Sequence, residues 1–174
     1  MRHLLLILAL VCLAGCAHWH TGSTLPPEQR KVHLAAMDNR TSEHRLTPWL
    51  KSAITQELSQ VPGVRTVADK QGAGLILTTT IRGLDQNRAA RSRIRGKKDR
   101  DDSSDAYQTV LYHVTITVDW EAKPTASDAK TRKGTITGEA DMPLMPDREI
   151  AFATALQSAA RDAAAKLAAA LTEQ

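Results

Sequence analysis

The sequence predicts an α+β protein: a two-layer sandwich with two helices packed on one face of a mostly antiparallel sheet. Three observations carry this. Apolar residues recur at helical spacing from Leu46 to Val61 and again from Phe152 to Ala170. Between these stripes, Thr109 to Trp120 alternates with strict period two. Further β-prone runs on either side of it, at Leu75–Ile81 and Lys133–Ala140, predict hairpin-connected strands in the middle of the chain.

At the start, Met1-Arg2-His3 is a short basic beginning, and Leu4 to Leu13 is an almost unbroken apolar run. That run has the length of a secretion-signal core and is too short to cross a bilayer as a helix. Leu13-Ala14-Gly15-Cys16 follows, with small residues before a cysteine. This resembles the lipobox of bacterial lipoproteins. The resemblance implies cleavage after residue 15 and acylation of Cys16 by a diacylglycerol and a further chain such as palmitate. More than one chain gives stable membrane anchoring. Residue 17 is Ala17, not the Asp that retains enterobacterial lipoproteins in the inner membrane, so the same resemblance implies the outer membrane. The expected organisation is a signal over 1–15, a lipidated tether over 16–30 with a Pro26-Pro27 pair, and one α+β domain over 31–174. Fully extended, residues 17–30 span at most about 50 Å.

Within the domain, Lys31 to Met37 reads as a short strand and Asp38 to Ser42 as a turn. Thr47 is the expected helix N-cap, Pro48 suits the first helical position, and Pro62-Gly63 ends the helix. Val64 to Val67 reads as a short strand. In the Thr109–Trp120 strand, Val110, Tyr112, Val114, Ile116, Val118 and Trp120 point one way, and His113, Thr115, Thr117 and Asp119 the other. Met142-Pro143-Leu144-Met145-Pro146 breaks regular structure before the final helix, which starts near Asp147. About 25 residues give that helix a length of roughly 37 Å.

Composition sets bounds on function. Removing the signal leaves 174 − 15 = 159 residues, one domain with a real core. Hydrophobic residues are 42% and aromatics 3%, so the core is aliphatic and alanine-rich. The precursor's net charge is +4. Both cysteines, Cys12 and Cys16, are used by the signal and the anchor. No thiol remains for a disulfide, a nucleophile or a metal.

Several segments together resemble the lipopolysaccharide-assembly lipoproteins of the outer membrane, the LptE family. Trp19-His20, Gly22-Ser23 and Leu25-Pro26-Pro27 look like that family's opening. Val32 to Thr41, with its Asn39-Arg40-Thr41 turn, is similar to its first strand and turn. Leu46-Thr47 with Leu50, Ile54 and Leu58 resembles its first helix. Ala73-Gly74-Leu75 resembles its Ala-Asp-Leu strand, with Gly74 in place of the usual Asp. The resemblance covers most of the mature chain. It implies a helix-on-sheet domain lodged in the lumen of a large β-barrel translocon, assisting delivery of lipopolysaccharide to the cell surface.

Two candidate surfaces follow from the residues. Residues 82–100 read as a long basic hairpin loop, and Arg88, Arg91, Arg93, Arg95, Lys97 and Lys98 are its candidate anionic-glycolipid ligands. The alternative is a solvated loop neutralised by the acidic stretch at Asp101, Asp102 and Asp105. The threonine-rich sheet face, with Thr115, Thr117, Thr135 and Thr137, is the candidate partner face. His18 and His20 on a flexible tether form a poor metal site without a third ligand. His113 reads as a cross-strand neighbour of threonine. No catalytic set, phosphate loop or cofactor motif is present, so the expectation is a non-enzymatic protein without cofactor. Expected partners are an outer-membrane β-barrel lipopolysaccharide translocon, possible direct contact with lipopolysaccharide, and the membrane through the N-terminal lipid, with no nucleic acid. The competing reading is a lipoprotein that activates a periplasmic peptidoglycan synthase.

Overall fold

The computed structural model describes residues 25–93, 107–126 and 128–172. Its elements are β1 (Lys31–Leu34), β2 (Asp38–Asn39), α1 (Leu46–Gln60), β3 (Arg65–Val67), β4 (Leu75–Arg93), β5 (Tyr107–Pro124), β6 (Arg132–Pro143) and α2 (Arg148–Thr172). Among the described residues the fold is α+β, with two helices and one six-stranded sheet of order β3-β1-β4-β5-β6, β2 pairing with β4 off that path.

The sheet is mixed, which corrects the mostly antiparallel expectation. β1 runs parallel to both β3 and β4, and β2 runs parallel to β4. Only β4-β5-β6 is antiparallel. The cause is the crossover through α1: a helix between two strands returns the chain in the same direction, so β1-α1-β3 is a parallel unit. The expected turn at Asp38–Ser42 begins with the two strand residues of β2. Arg40 N–H then donates to the Ile81 carbonyl at 2.9 Å.

The Asn39 side chain organises the entry to α1. Its amide donates to the Glu43 carbonyl at 3.0 Å and to Thr47 Oγ1 at 3.1 Å, and its oxygen accepts from Thr41 N–H at 3.0 Å. Thr47 therefore lies inside the helix, which starts at Leu46 with Arg45 at the N-cap position and no side-chain cap. The tertiary bond from Asn39 wins over the capping preference. At α2 the cap is present: Asp147 Oδ1 accepts from the backbone N–H of Glu149 and Ile150, both at 3.1 Å.

One hydrophobic core joins the helices to the sheet. Leu50, Ile54 and Leu58 of α1 share it with Leu156, Ala163 and Leu167 of α2 and with Val114, Ile116 and Val118 of β5. Alanines let α2 approach closely. At Gly138 of β6 an added Cβ would overlap the Ala159 carbonyl oxygen and lie 2.7 Å from Ala163 Cβ, so the helix backbone rests directly on the strand. Packing begins before β1. Leu25 and Gln29 are buried, and Pro27–Gln29 forms a 3-10 turn. That turn lies on Gly74, where any Cβ would overlap the Glu28 carbonyl. The glycine at this position thus has a steric reason.

Candidate partner face

β4 and β5 are 19 and 18 residues long, a hairpin of roughly 60 Å at 3.3 Å per residue. Three register shifts interrupt it, at Ile81/Gly83, Arg88/Ala90 and Ala90/Arg91. Residues 82–93 are therefore strand, not the loop expected from their charge. Pairing with β5 holds them extended, although their own polar sequence lacks a strand period. Arg88 stands opposite Tyr112 and Arg91 opposite Thr109, both arginines exposed. Arg93 ends β4; its side chain, and all of Arg95, Lys97, Lys98 and Cys16, lie outside the described residues. His18 and His20 lie outside them too.

The four threonines do share one face. Thr117 pairs directly with Thr137, Thr115 with Glu139, and Thr135 with Asp119, whose other neighbour is Thr80. Alternation puts Val114, Ile116 and Val118 into the core and these polar residues outside. Thr78, Thr80, Thr135 and Lys133 line an open groove of about 490 Å³ with Arg82 and Asp119.

Several charges on this face are paired. Arg82 Nη2 lies 2.7 Å from Asp119 Oδ2, and Thr135 donates its hydroxyl to Asp119 Oδ1 at 2.7 Å. Glu121 stands in register with Lys133. His113 faces no threonine across the strands. Its register partner is Asp141, with Nδ1 2.9 Å from Oδ1, and Glu139 lies 3.6 Å from Nε2. The hydrogen bond to Asp141 holds the His113 pKa above its ordinary value, with the charges of Asp141 and Glu139 acting the same way. Sequence reading missed this cluster. Its signal was present in the charged residues Glu139 and Asp141 at alternate positions of β6, but the register needed to place them opposite His113 was not.

The sheet's remaining long edge is closed by α2. Glu139 N–H donates to Asp162 Oδ2 at 2.9 Å, and Lys166 Nζ donates to the Thr137 carbonyl at 2.9 Å. Among the described residues, no helix is long and apolar enough to cross a membrane.

No family model and no curated protein matches the chain. Solved structures do. The PelC dodecamer from Paraburkholderia phytofirmans is 18% identical, with 87% of this chain and 94% of that chain covered, at a TM-score of 0.50. A hypothetical protein from Chlamydia trachomatis is 8% identical, with 82% and 98% covered, at a TM-score of 0.53. Rare lipoprotein B from Shewanella oneidensis is 11% identical, with 80% and 89% covered, at a TM-score of 0.40. The first two show a shared fold over nearly their whole length.

Proposed function

We propose that this protein is a non-enzymatic outer-membrane lipoprotein that assists lipopolysaccharide assembly, seated in the lumen of a β-barrel translocon. The carrying observation is the polar face of β4, β5 and β6. Hydroxyls of Thr80, Thr115, Thr117, Thr135 and Thr137 lie among charged side chains, several of them paired, such as Arg82 with Asp119. Such a face gains nothing from an apolar partner and loses little against a polar one. The lumen of a large outer-membrane barrel is polar, whereas its outer surface is apolar. Anchoring both in the same membrane raises their effective concentration.

Reach supports the same reading. With Leu25 buried in the domain, the nine residues from 17 to 25 span at most about 30 Å. A domain on so short a lead stays beside its membrane, which disfavours an activator that must cross the periplasm to a peptidoglycan synthase. Direct contact with lipopolysaccharide is assigned to Arg88 and Arg91 with the basic residues that follow them, since arginine pairs bidentately with phosphate. A ring of identical copies is the second reading, favoured by the fold shared with a protein that crystallised as a dodecamer.

Native purification from membranes, followed by identification and stoichiometry of bound chains, tests the proposal. A one-to-one complex with a barrel protein, and lost surface lipopolysaccharide on depletion, is the expected result. A homo-oligomer alone, or a synthase as the bound chain, contradicts it.

A further inference from the structure

We infer that His113 makes the contact between the threonine face and its partner depend on pH, the complex forming with His113 protonated and loosening as it loses that proton. This regulation rests on the barrel reading, because a titrating side chain acts only on what covers it. Geometry fixes which protonation state suits the site. His113 Nδ1 lies 2.9 Å from Asp141 Oδ1, and Nε2 lies 3.6 Å from Glu139 Oε2. A neutral imidazole has a single N–H and would turn a lone pair towards one of these carboxylates. Only the imidazolium presents an N–H to both.

Register isolates this charge block on the face. Asn87, His113 and Asp141 form one row across β4, β5 and β6, and Asp85, Thr115 and Glu139 form the next. The rows on either side are uncharged: Gly83, Thr117 and Thr137 towards the groove, and Ala90, Leu111 and Pro143 beyond. Cations in the vicinity are engaged or placed elsewhere. Arg82 is paired with Asp119, and Lys166 of α2 with Asp162 at the β6 edge. Arg88, opposite Tyr112, is on the other side of the sheet by alternation, and Arg91 stands further out, opposite Thr109. The two rows hold three carboxylates, so the block carries 1 − 3 = −2 with His113 protonated and −3 without.

Thr115 lies inside the block, so a partner seated on Thr115 and Thr117 covers it. Excluding water strengthens the repulsion between Glu139 and Asp141 and their attraction to the imidazolium. The protonated block also has one net charge fewer to strip of water. Contact therefore favours the proton on His113, and by linkage the proton favours contact. Affinity is level below the pKa of the free protein and falls, by at most about tenfold per pH unit for one proton, as pH rises from there to the higher pKa of the complex.

The test uses the full-length lipidated protein in detergent and the barrel protein that co-purifies with it. Binding is titrated at about pH 6 and about pH 8.5, either side of a histidine held above its ordinary value of about 6.5. The expected result is a Kd at least about fivefold higher at the alkaline pH, within the one-proton bound. His113→Gln should bind weakly at both pH values and His113→Arg tightly at both. Equal wild-type binding at the two pH values overturns the inference and leaves the barrel reading standing. So does a pH dependence that persists in both variants, since the titrating group then lies elsewhere, and so does binding that tightens as pH rises. Absence of any co-purifying barrel at either pH removes the barrel reading, and this regulation with it.

Discussion

Replacing Gly138 with alanine attacks the contact that sets how closely α2 lies on the sheet. The new methyl would overlap the Ala159 carbonyl oxygen and come within 2.7 Å of Ala163 Cβ. Both belong to a helix whose neighbouring residues are fully buried, so neither can turn aside as a long side chain could. The helix must lift by about 1 Å, and a gap of that size forfeits a quarter to a half of the dispersion well along the contact. Overpacking of this kind costs about 1–3 kcal/mol, occasionally more, and a backbone obstacle places this case at the upper end, about 3 kcal/mol. At roughly 2–4 °C per kcal/mol for a domain of this size, melting should fall by about 6–12 °C. Urea unfolding of the Cys16→Ser protein, followed by circular dichroism, measures it. Gly83→Ala is the control, because its Cβ would meet nothing nearer than 3.9 Å; it should change stability by less than about 0.5 kcal/mol. If Gly138→Ala unfolds at the same urea concentration as the parent, the close packing of α2 on β6 is wrong.

Other outcomes are equally direct. The His113 pKa measured by NMR should lie above the ordinary value of about 6.5 and fall toward it in Asp141→Asn. Because the folded value is raised, the stabilising contribution is fully present below the unfolded pKa and is lost as pH rises through the folded one. His113 is exposed, so the titration should be clear while melting shifts little. Replacing Cys16 with serine should leave an uncleaved or soluble product, and a mature, membrane-bound parent without lipid by mass would contradict the anchor. Changing Gly74 to alanine should free the Pro27–Gln29 turn and expose Leu25, read as faster hydrogen exchange at the N-terminus with the strands unchanged.

What was legible in the sequence follows from which forces are local. Period two along Thr109–Trp120 placed Val114, Ile116 and Val118 inside and Thr115 and Thr117 outside, because alternation depends only on the strand itself. The alanine and leucine stripe of α2 was readable for the same reason. Strand order was not: nothing within Lys31–Leu34 announces that it lies parallel to β4 rather than beside β2. The distal half of β4 was misread because Arg82, Arg88, Arg91 and Arg93 look like a solvated loop. Pairing with β5 overrides that local preference, and the bulges erase the period that would have revealed it. The shared facing of Thr115, Thr117, Thr135 and Thr137 was legible, since facing is a matter of parity. The His113–Asp141 pair was missed, since it depends on register between β5 and β6.

In the proposed role, the threonine face, not the helical layer, meets a barrel lumen. A photo-cross-linking side chain placed at Thr117 or Thr137 in the native membrane, with Gln157 on α2 as the comparison, tests this directly. Capture of lumen-facing residues of a lipopolysaccharide-translocating barrel from both threonine positions, with far less from Gln157, is the predicted result. Cross-links from Thr117 and Thr137 that go only to a peptidoglycan synthase, or to other copies of this chain, would contradict it.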